Sequence, residues 1–321
     1  MRLRSLGIVV VAGLASQACV SRATADTSVP LMIATGASEG VYYTLGSALA
    51  HIYNTHVPGV RATAHATAAS AFNLQELNEG RADVAFALGD VAYLAYTRGT
   101  RVNASQHRNL RGIAVLYMNP YHIVVRRDGP IRSLSDLTGK RAAIGVSASA
   151  PGRSAVVDLA IAAYGVDPTT VKTQLMTFED ILAGLADDSV DVGFLSVGYP
   201  DRRIAAAAAA NRIRFLEVGD EAVERVRSTN PFYRPVAIPA GTYHGQSAPI
   251  MTIGVDNLLV TRQDMPEDLV YQLTAAFFES LPELMKVHPS ARLIDPDEAP
   301  ATPIPLHPGA ARYYRERELL Q

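Results

Sequence analysis

At 321 residues the chain is long enough for one or two α/β domains with ample core. It is 48% hydrophobic and 19% charged, and its formal charge of −2 argues against a nucleic-acid partner. A single cysteine, Cys19, excludes a disulfide framework.

The N-terminus reads as an export signal. Arg2 and Arg4 precede an apolar run from Leu6 to Ala15, too short to anchor in a bilayer, and Ala23-Thr24-Ala25 fits a small-x-small cleavage site. Residues 1–25 are therefore set aside, and a periplasmic location is expected. A second reading makes Ser16-Gln17-Ala18-Cys19 a lipoprotein acylation site, although Leu is missing three residues before the cysteine. Cleavage after Ala25 removes three arginines and takes the formal charge from −2 to −5. It also leaves no thiol nucleophile or thiolate ligand.

The first element is the strand Leu31–Ile33, followed by the loop Thr35-Gly36-Ala37-Ser38-Glu39-Gly40. A helix then carries Tyr43, Gly46, Leu49, Ala50 and Tyr53 at helical spacing. Such a turn points free N–H groups and the positive end of a helix dipole at one spot, which suits a carboxylate or phosphate. It equally suits a plain tight connection. GxGxxG and a Lys-Ser/Thr after the loop are both missing, so the dinucleotide and P-loop readings fail.

Val60–Ala66 is the next strand, with a second small-residue loop at Thr67-Ala68-Ala69-Ser70. Ser70 is a natural N-cap for a helix over Phe72–Glu79, and Gly80 a natural stop. The strand Asp83–Leu88 runs into a third loop, Gly89-Asp90, and a helix with Tyr93 and Tyr96. Arg111–Tyr117 and His122–Arg126 read as two strands around Asn119-Pro120. Ser133 and Asp136 have capping-box spacing, with Asp where Glu is preferred, on a short helix ending at Gly139.

The strand Lys140–Val146 opens into a fourth loop, Ser147–Ser154, before a helix over Ala155–Tyr164. A strand (Val171–Met176), a helix (Phe178–Ala186) and a strand (Val190–Leu195) follow. A fifth loop, Ser196-Val197-Gly198-Tyr199-Pro200, then precedes the helical alanine tract Ala205–Ala210. Pro231–Pro249 reads as an irregular crossover. Ile250–Thr261 is a strand long enough to cross domains, Glu267–Val287 an amphipathic helix, and the tail a short charged helix.

One segment echoes another. Leu77–Phe86 (LNEGRADVAF) and Leu185–Phe194 (LADDSVDVGF) share Leu, Asp, Val and Phe at the same offsets. They read either as two ordinary αβ units or as two lobes of one topology. The strand–helix alternation implies an α/β fold of mostly parallel sheets flanked by helices. Ligands of such sheets sit beyond the strand carboxyl ends, where all five loops lie. Two facing lobes would gather them around one interlobe cleft.

No catalytic or metal pattern competes. HExxH, His-x-x-x-His and a His/Cys/Asp cluster are missing, so no metal or other cofactor is expected. Gly145-x-Ser147-x-Ser149 only partly imitates GxSxG; an exported serine hydrolase using Ser147 or Ser149 is the alternative from another class. Asp83 and Asp191, each opening a buried strand, read as capping groups.

The chain resembles the TAXI family, the extracytoplasmic solute-binding subunits of one class of tripartite ATP-independent periplasmic (TRAP) transporters. The resemblance runs from about Leu31 to Glu316. It rests on Gly40-Val41-Tyr42-Tyr43 with Gly46, Pro239-Ala240-Gly241-Thr242-Tyr243 with Gly245-Gln246, and Pro305-Leu306-His307-Pro308-Gly309-Ala310. The loops depart from the family's Gly- and Thr-rich forms at Ala37-Ser38-Glu39, Ala68-Ala69-Ser70, Leu88-Gly89-Asp90 and Ala148-Ser149-Ala150-Pro151.

The resemblance implies a two-lobed periplasmic binding protein of type II-like fold, not an enzyme. It implies delivery of a dicarboxylate or acidic amino acid to TRAP permease subunits, and a monomer is expected. An importer-linked or sensor-linked binding protein of similar fold is the runner-up. The expected division is lobe I over 26–120 and 240–321, and lobe II over 121–239. The expected ligand is a small organic anion held by loop N–H groups and hydroxyls. Candidate contacts are Thr35, Ala37, Ser38, Tyr43, Ser70, Gly89, Asp90, Ser147, Ser149, Arg153 and Tyr199. Arg153, the one cation in a cleft loop, reads either as a carboxylate clamp or as a solvent-facing arginine at a helix start.

Overall fold

The computed structural model describes residues 28–38, 40–68, 70–100, 102–145, 161, 163–230 and 232–320. The export signal with Cys19, and most of the helix expected over Ala155–Tyr164, lie outside them. Ten described strands form one mixed sheet in the order β2-β1-β3-β10-β4-β7-β5-β6, with β8 on β4 and β9 on β10.

The first half folds as its pattern dictates. β1 (Val29–Ala34), β2 (Val60–His65) and β3 (Val84–Leu88) make a parallel triplet with β1 central. Each is followed by a helix: α1 (Val41–His56), α2 (Ser70–Asn78) and α3 (Gly89–Thr97). α1 buries Leu45, Leu49, Ile52 and Tyr53 on one stripe, the 3.6-residue period made physical. Gly46 lies on that stripe because a Cβ there would come 2.4 Å from Thr35 Cγ2. Gly80 takes a φ of +72° and stops α2, as expected.

The second half repeats the arrangement. β5 (Arg141–Gly145), β6 (Lys172–Met176) and β7 (Val192–Ser196) form another parallel triplet with β5 central, and a helix over Phe178–Ala186 enters β7. The sequence echo is a structural one. Asp83 exchanges bonds with Met32 of β1: its N–H donates to the Met32 carbonyl (2.9 Å) and its carboxylate accepts the Met32 N–H (2.8 Å). Asp191 does the same with Arg141 of β5, at 2.9 Å and 2.8 Å. Each aspartate thus fixes the register of two parallel strands. The residue three after each Leu is left-handed, Gly80 in one copy and Asp188 (φ +65°) in the other.

Several elements differ from expectation. The two strands around Asn119-Pro120 are one, β4 (Leu110–Arg126). Through Pro120 it pairs with β10 (Ile250–Arg262), and from Tyr121 with β7 and β8 (Ile213–Leu216). Pro120 sits at this change of partner, and its carbonyl accepts from Val197 N–H at 3.3 Å. β4 and β10 run antiparallel to their neighbours, so the sheet is mixed and parallel order holds within the triplets.

The expected irregular crossover contains β9 (Tyr233–Ile238), antiparallel to β10. A helix over Asp220–Thr229, with Asp220 and Glu221 in its first turn and Arg227 in its last, is an element the expected order lacks. The long helix over Glu267–Val287 breaks at Ser280 into Glu267–Glu279 and Leu281–Val287, because Pro282 in the new first turn cannot donate to the preceding helix. The Ser133–Asp136 capping box forms in full despite its shorter acid, with Asp136 accepting from Ser133 N–H at 3.0 Å.

The largest buried cluster runs through both triplets, from Ala34 and Leu74 through Tyr121 and Val255 to Ile144 and Val226. A second packs α1 and the C-terminal helices on one side of β1 and β3. No described helix is long and apolar enough to cross a membrane.

Candidate functional site

The carboxyl ends of β1 and β3 and the starts of α1, α2 and α3 converge on one polar recess. Its floor is built by buried side chains that satisfy the loop backbone. Thr35 is fully buried, and its hydroxyl donates to the His65 carbonyl at 2.6 Å. The Thr35 carbonyl accepts from Thr67 Oγ1 (3.0 Å) and Asn73 Nδ2 (2.5 Å). Asn73 also donates to the Phe86 carbonyl at 2.7 Å, so one amide ties the end of β1 to β3. Ser70 lies inside α2 instead of capping it. Its Oγ accepts the Leu88 N–H at 3.0 Å, at the turn from β3 into α3.

Above this floor sits a chain of hydroxyls and amides. Tyr42, packed at a tilt against Phe86 with ring centres 5.2 Å apart, donates to Asn257 Oδ1 at 2.6 Å. Asn257, on β10, donates to the Tyr117 carbonyl at 2.8 Å. The Ser70 hydroxyl acts on Tyr42 as a donor, while burial raises the Tyr42 phenol well above its ordinary range. Fully satisfied networks of this kind hold their members in one geometry.

Asp90 opens α3 beside this chain and accepts the Val91 N–H at 2.7 Å. Burial pushes its carboxyl up to about 6; the backbone N–H groups and the Tyr233 hydroxyl, as donors, pull it back down. No described basic side chain forms an ion pair with it. The nearest arginine on the adjoining strand, Arg234, is held by Glu298 (2.8 Å) and Asp256 (3.7 Å). Asp256 is itself pushed up to about 6 by burial, with Arg234 opposing.

The structure therefore brings together Thr35, Ser70, Gly89 and Asp90 of the residues expected at a site. Gly89 packs against the Asp256 backbone, 3.3 Å from where a Cβ would stand. Ala37 and Ser38 are exposed at the rim, and Tyr43 is half-buried one residue beyond Tyr42. Tyr199, after β7, packs on the cluster that holds Phe178, Leu195 and Tyr243. In the same loop Gly198 lies beside Asn119 and Ser290. Ser147, Ser149, Arg153 and Glu39 lie outside the described residues.

Sequence reasoning missed Tyr42, Asn73, Tyr233 and Asn257. The signal for the first two was their place one turn from a loop residue already suspected. It also missed Ser196, whose buried Oγ at the end of β7 has no hydrogen-bond partner among the described residues. The loop is equivalent to the one after β3.

The turn Pro239–Gln246 is structural. Gln246 Nε2 donates to the carbonyls of Ile238, Pro239 and Ala248, and its Oε1 accepts the Tyr243 N–H at 3.1 Å. Tyr243 Oη accepts the Asp201 N–H (3.1 Å) and shares a hydrogen bond with His122 Nε2 (2.8 Å). Burial brings the His122 imidazole down to about 4, so it is neutral and occupied. No group of three or more His, Cys, Asp or Glu among the described residues could hold a metal ion.

Solved structures share this architecture. A Xanthomonas citri protein bound to ATP matches with a TM-score of 0.55 at 16% identity, over 90% of this chain and 95% of that one. The periplasmic aliphatic sulphonate binding protein SsuA from Escherichia coli matches at 0.51 and 14%, over 91% and 93%. A TctC solute binding protein from Polaromonas matches at 0.52 and 17%, over 82% and 86%. At these identities the likeness shows the fold, a mixed α/β sheet flanked by helices as in periplasmic binding proteins. The NMT1-like family model matches residues 33–317, nearly the whole described chain from the end of β1 onward, and the protein belongs to that family.

Proposed function

We propose that the protein is an extracytoplasmic solute-binding protein that captures a small organic anion for a TRAP-type transporter, as a TAXI-type subunit. The observation that carries the reading is the recess at the carboxyl ends of β1 and β3. Hydroxyls, amides and helix starts line it, and no described nucleophile–base pair or metal cluster lies in it. Two of the buried histidines are engaged elsewhere: His122 meets Tyr243, and His307 caps a helix at Gly309 N–H. These features support a binding role.

The two triplets are the two lobes in this reading, with lobe I over 26–120 and 240–321 and lobe II over 121–239. The repeated aspartate staple supports a common topology. The chain crosses between them in β4 and β10, and the ligand lies where the recess meets the loop after β7. Cleavage after Ala25 places the mature protein in the periplasm. Asp90 favours the acidic amino acid over the dicarboxylate, because an ammonium offsets its charge and a second carboxylate does not.

Calorimetric titration with L-glutamate of the wild type, Arg153→Ala and Tyr42→Phe tests the placement. A clamp by Arg153 predicts at least about a hundredfold weaker binding without it, since removing one partner of a buried pair costs about 3–5 kcal/mol. Tyr42→Phe should weaken binding by about tenfold through the freed Asn257 amide. Wild-type affinity in both variants would displace the site from this recess. Ser70→Ala is the poorer probe, because it strands the Leu88 N–H.

A further inference from the structure

We propose that five arginines gathered where β4 ends and β8 begins form a docking surface for an anionic phospholipid membrane. The inference rests on the exported location proposed above and is independent of which solute is bound.

Two segments build the patch, and strand pairing brings them together. Arg126 closes β4, Ile213 opens β8, and the two are register partners. The Arg127 N–H donates to the Arg212 carbonyl at 2.9 Å and carries the contact one step past the ladder. The remaining guanidinium groups close around the loop between Arg127 and Arg132. Arg214 donates to the carbonyls of Arg127 (3.2 Å), Gly129 (3.4 Å) and Ile131. Arg132 donates to the same Gly129 carbonyl. Arg126 Nε stands 3.6 Å from where a Cβ on Gly129 would lie.

Little negative charge answers them. Asp188 pairs with Arg126. Asp136 accepts the N–H groups of Arg132 (2.7 Å) and Ser133 (3.0 Å), so its carboxylate is spent largely on backbone. Asp128 is exposed in the loop. Five arginines against these three aspartates leave +2, on a mature chain that carries −5. Elsewhere Arg141, Arg203 and Arg262 each face an aspartate, whereas Arg127, Arg132, Arg212 and Arg214 form no ion pair among the described residues.

Guanidinium forks match phosphate oxygens. A stable protein partner needs an apolar centre to its interface. None of the large apolar side chains exposed among the described residues lies in 126–132 or 212–214. A polar, positive patch instead fits a peripheral contact with lipid headgroups, attractive at low salt and screened at high salt. Its place suits that role. β4 meets the end of β7 at Tyr121–Ser196 and its start at Val125–Val192, and Arg126 lies beyond Val125. The patch is therefore at the opposite end of β7 from the loop that leads toward the recess, and docking leaves the recess open.

The test sediments the mature protein with vesicles of phosphatidylcholine alone or mixed equally with phosphatidylglycerol. Binding is expected to the mixed vesicles only, with release as salt rises from about 50 to about 500 mM. Arg127 and Arg212 are exposed, so Arg127→Ser with Arg212→Ser should keep the fold, checked by urea unfolding, and weaken vesicle binding about tenfold or more. Arg127→Lys with Arg212→Lys keeps the charge and should bind within about threefold of wild type. Arg292→Ser with Arg315→Ser makes the same charge change at exposed positions near the C-terminus and should bind as wild type.

Equal binding to both kinds of vesicle, or binding to neither, overturns the proposal. So does an equal loss in the Arg292 and Arg315 variant, which would make net charge responsible and not the patch. Binding to polyglutamate without binding to vesicles would assign the patch to an acidic protein instead. Solute titration without vesicles is a separate readout, so failure here leaves the solute-binding reading standing.

Discussion

Tyr243→Phe should cost far more than the loss of one oxygen suggests. The hydroxyl links three segments: the Asp201 N–H at the start of the helix over Arg202–Ala209, the His122 ring on β4, and the turn Pro239–Gln246. His122 is fully buried, and the Asp201 N–H is buried with it. Phenylalanine keeps the ring stack on Phe215, at 5.1 Å, so packing changes little. What remains is two buried groups without partners, each worth about 1–3 kcal/mol. The expected loss is about 2–4 kcal/mol in urea unfolding at pH 7.

The same contact carries a pH signature. Burial keeps the His122 imidazole neutral where it meets the Tyr243 hydroxyl. His122 titrates near 4 in the folded protein and near 6.5 in the unfolded chain. A folded value below the unfolded one means stability is present above 6.5 and lost as pH falls toward 4. The difference corresponds to about 3 kcal/mol over that window. His122→Gln should flatten this part of the stability profile. A Tyr243→Phe protein within about 0.5 kcal/mol of wild type, or a His122→Gln profile as steep as wild type, would refute the reasoning.

Asp83→Asn and Asp191→Asn should each destabilise by about 1.5–3 kcal/mol, since both lose charge-assisted bonds to a neighbouring strand; urea unfolding in which only one matters would break the equivalence of the two triplets. Gly46→Ala should cost about 1–3 kcal/mol by forcing Thr35 off its bond to His65, and a neutral result would mean that the loop floor yields freely. Small-angle scattering should show compaction with saturating L-glutamate if the triplets close on the ligand; an unchanged radius of gyration with bound ligand counts against closure. Mass spectrometry of the exported protein should find Asp26 at the N-terminus, and a lipid-modified Cys19 would contradict that.

Much of the fold is legible from local pattern. The buried run Val84–Leu88 and the stripe of α1 announce themselves by period, and Gly80 by its place after the last apolar residue of α2. β4 is not, because Pro120 reads as a break until a change of strand partner makes its missing N–H harmless. β9 hides for a related reason, with Pro235 inside it and prolines on both sides. The site is legible by location more than by identity. Asp90 and Ser70 lie where the loops point, but Ser70 faces the Leu88 backbone and Thr35 faces His65. Tyr42 and Asn257 are 215 residues apart, and no local pattern carries such a pair.

The central claim is capture of a small organic anion, and a thermal-shift panel on the mature protein tests it most directly. The panel spans acidic and neutral amino acids, dicarboxylates, sulphonates and sugars at millimolar concentration. A ligand that binds only the folded state stabilises it by about 2.7 kcal/mol at a hundred times its Kd. A clear rise in Tm is expected with an acidic amino acid or dicarboxylate, and none with sugars. Stabilisation by sugars or sulphonates alone, with every carboxylate silent, would contradict it.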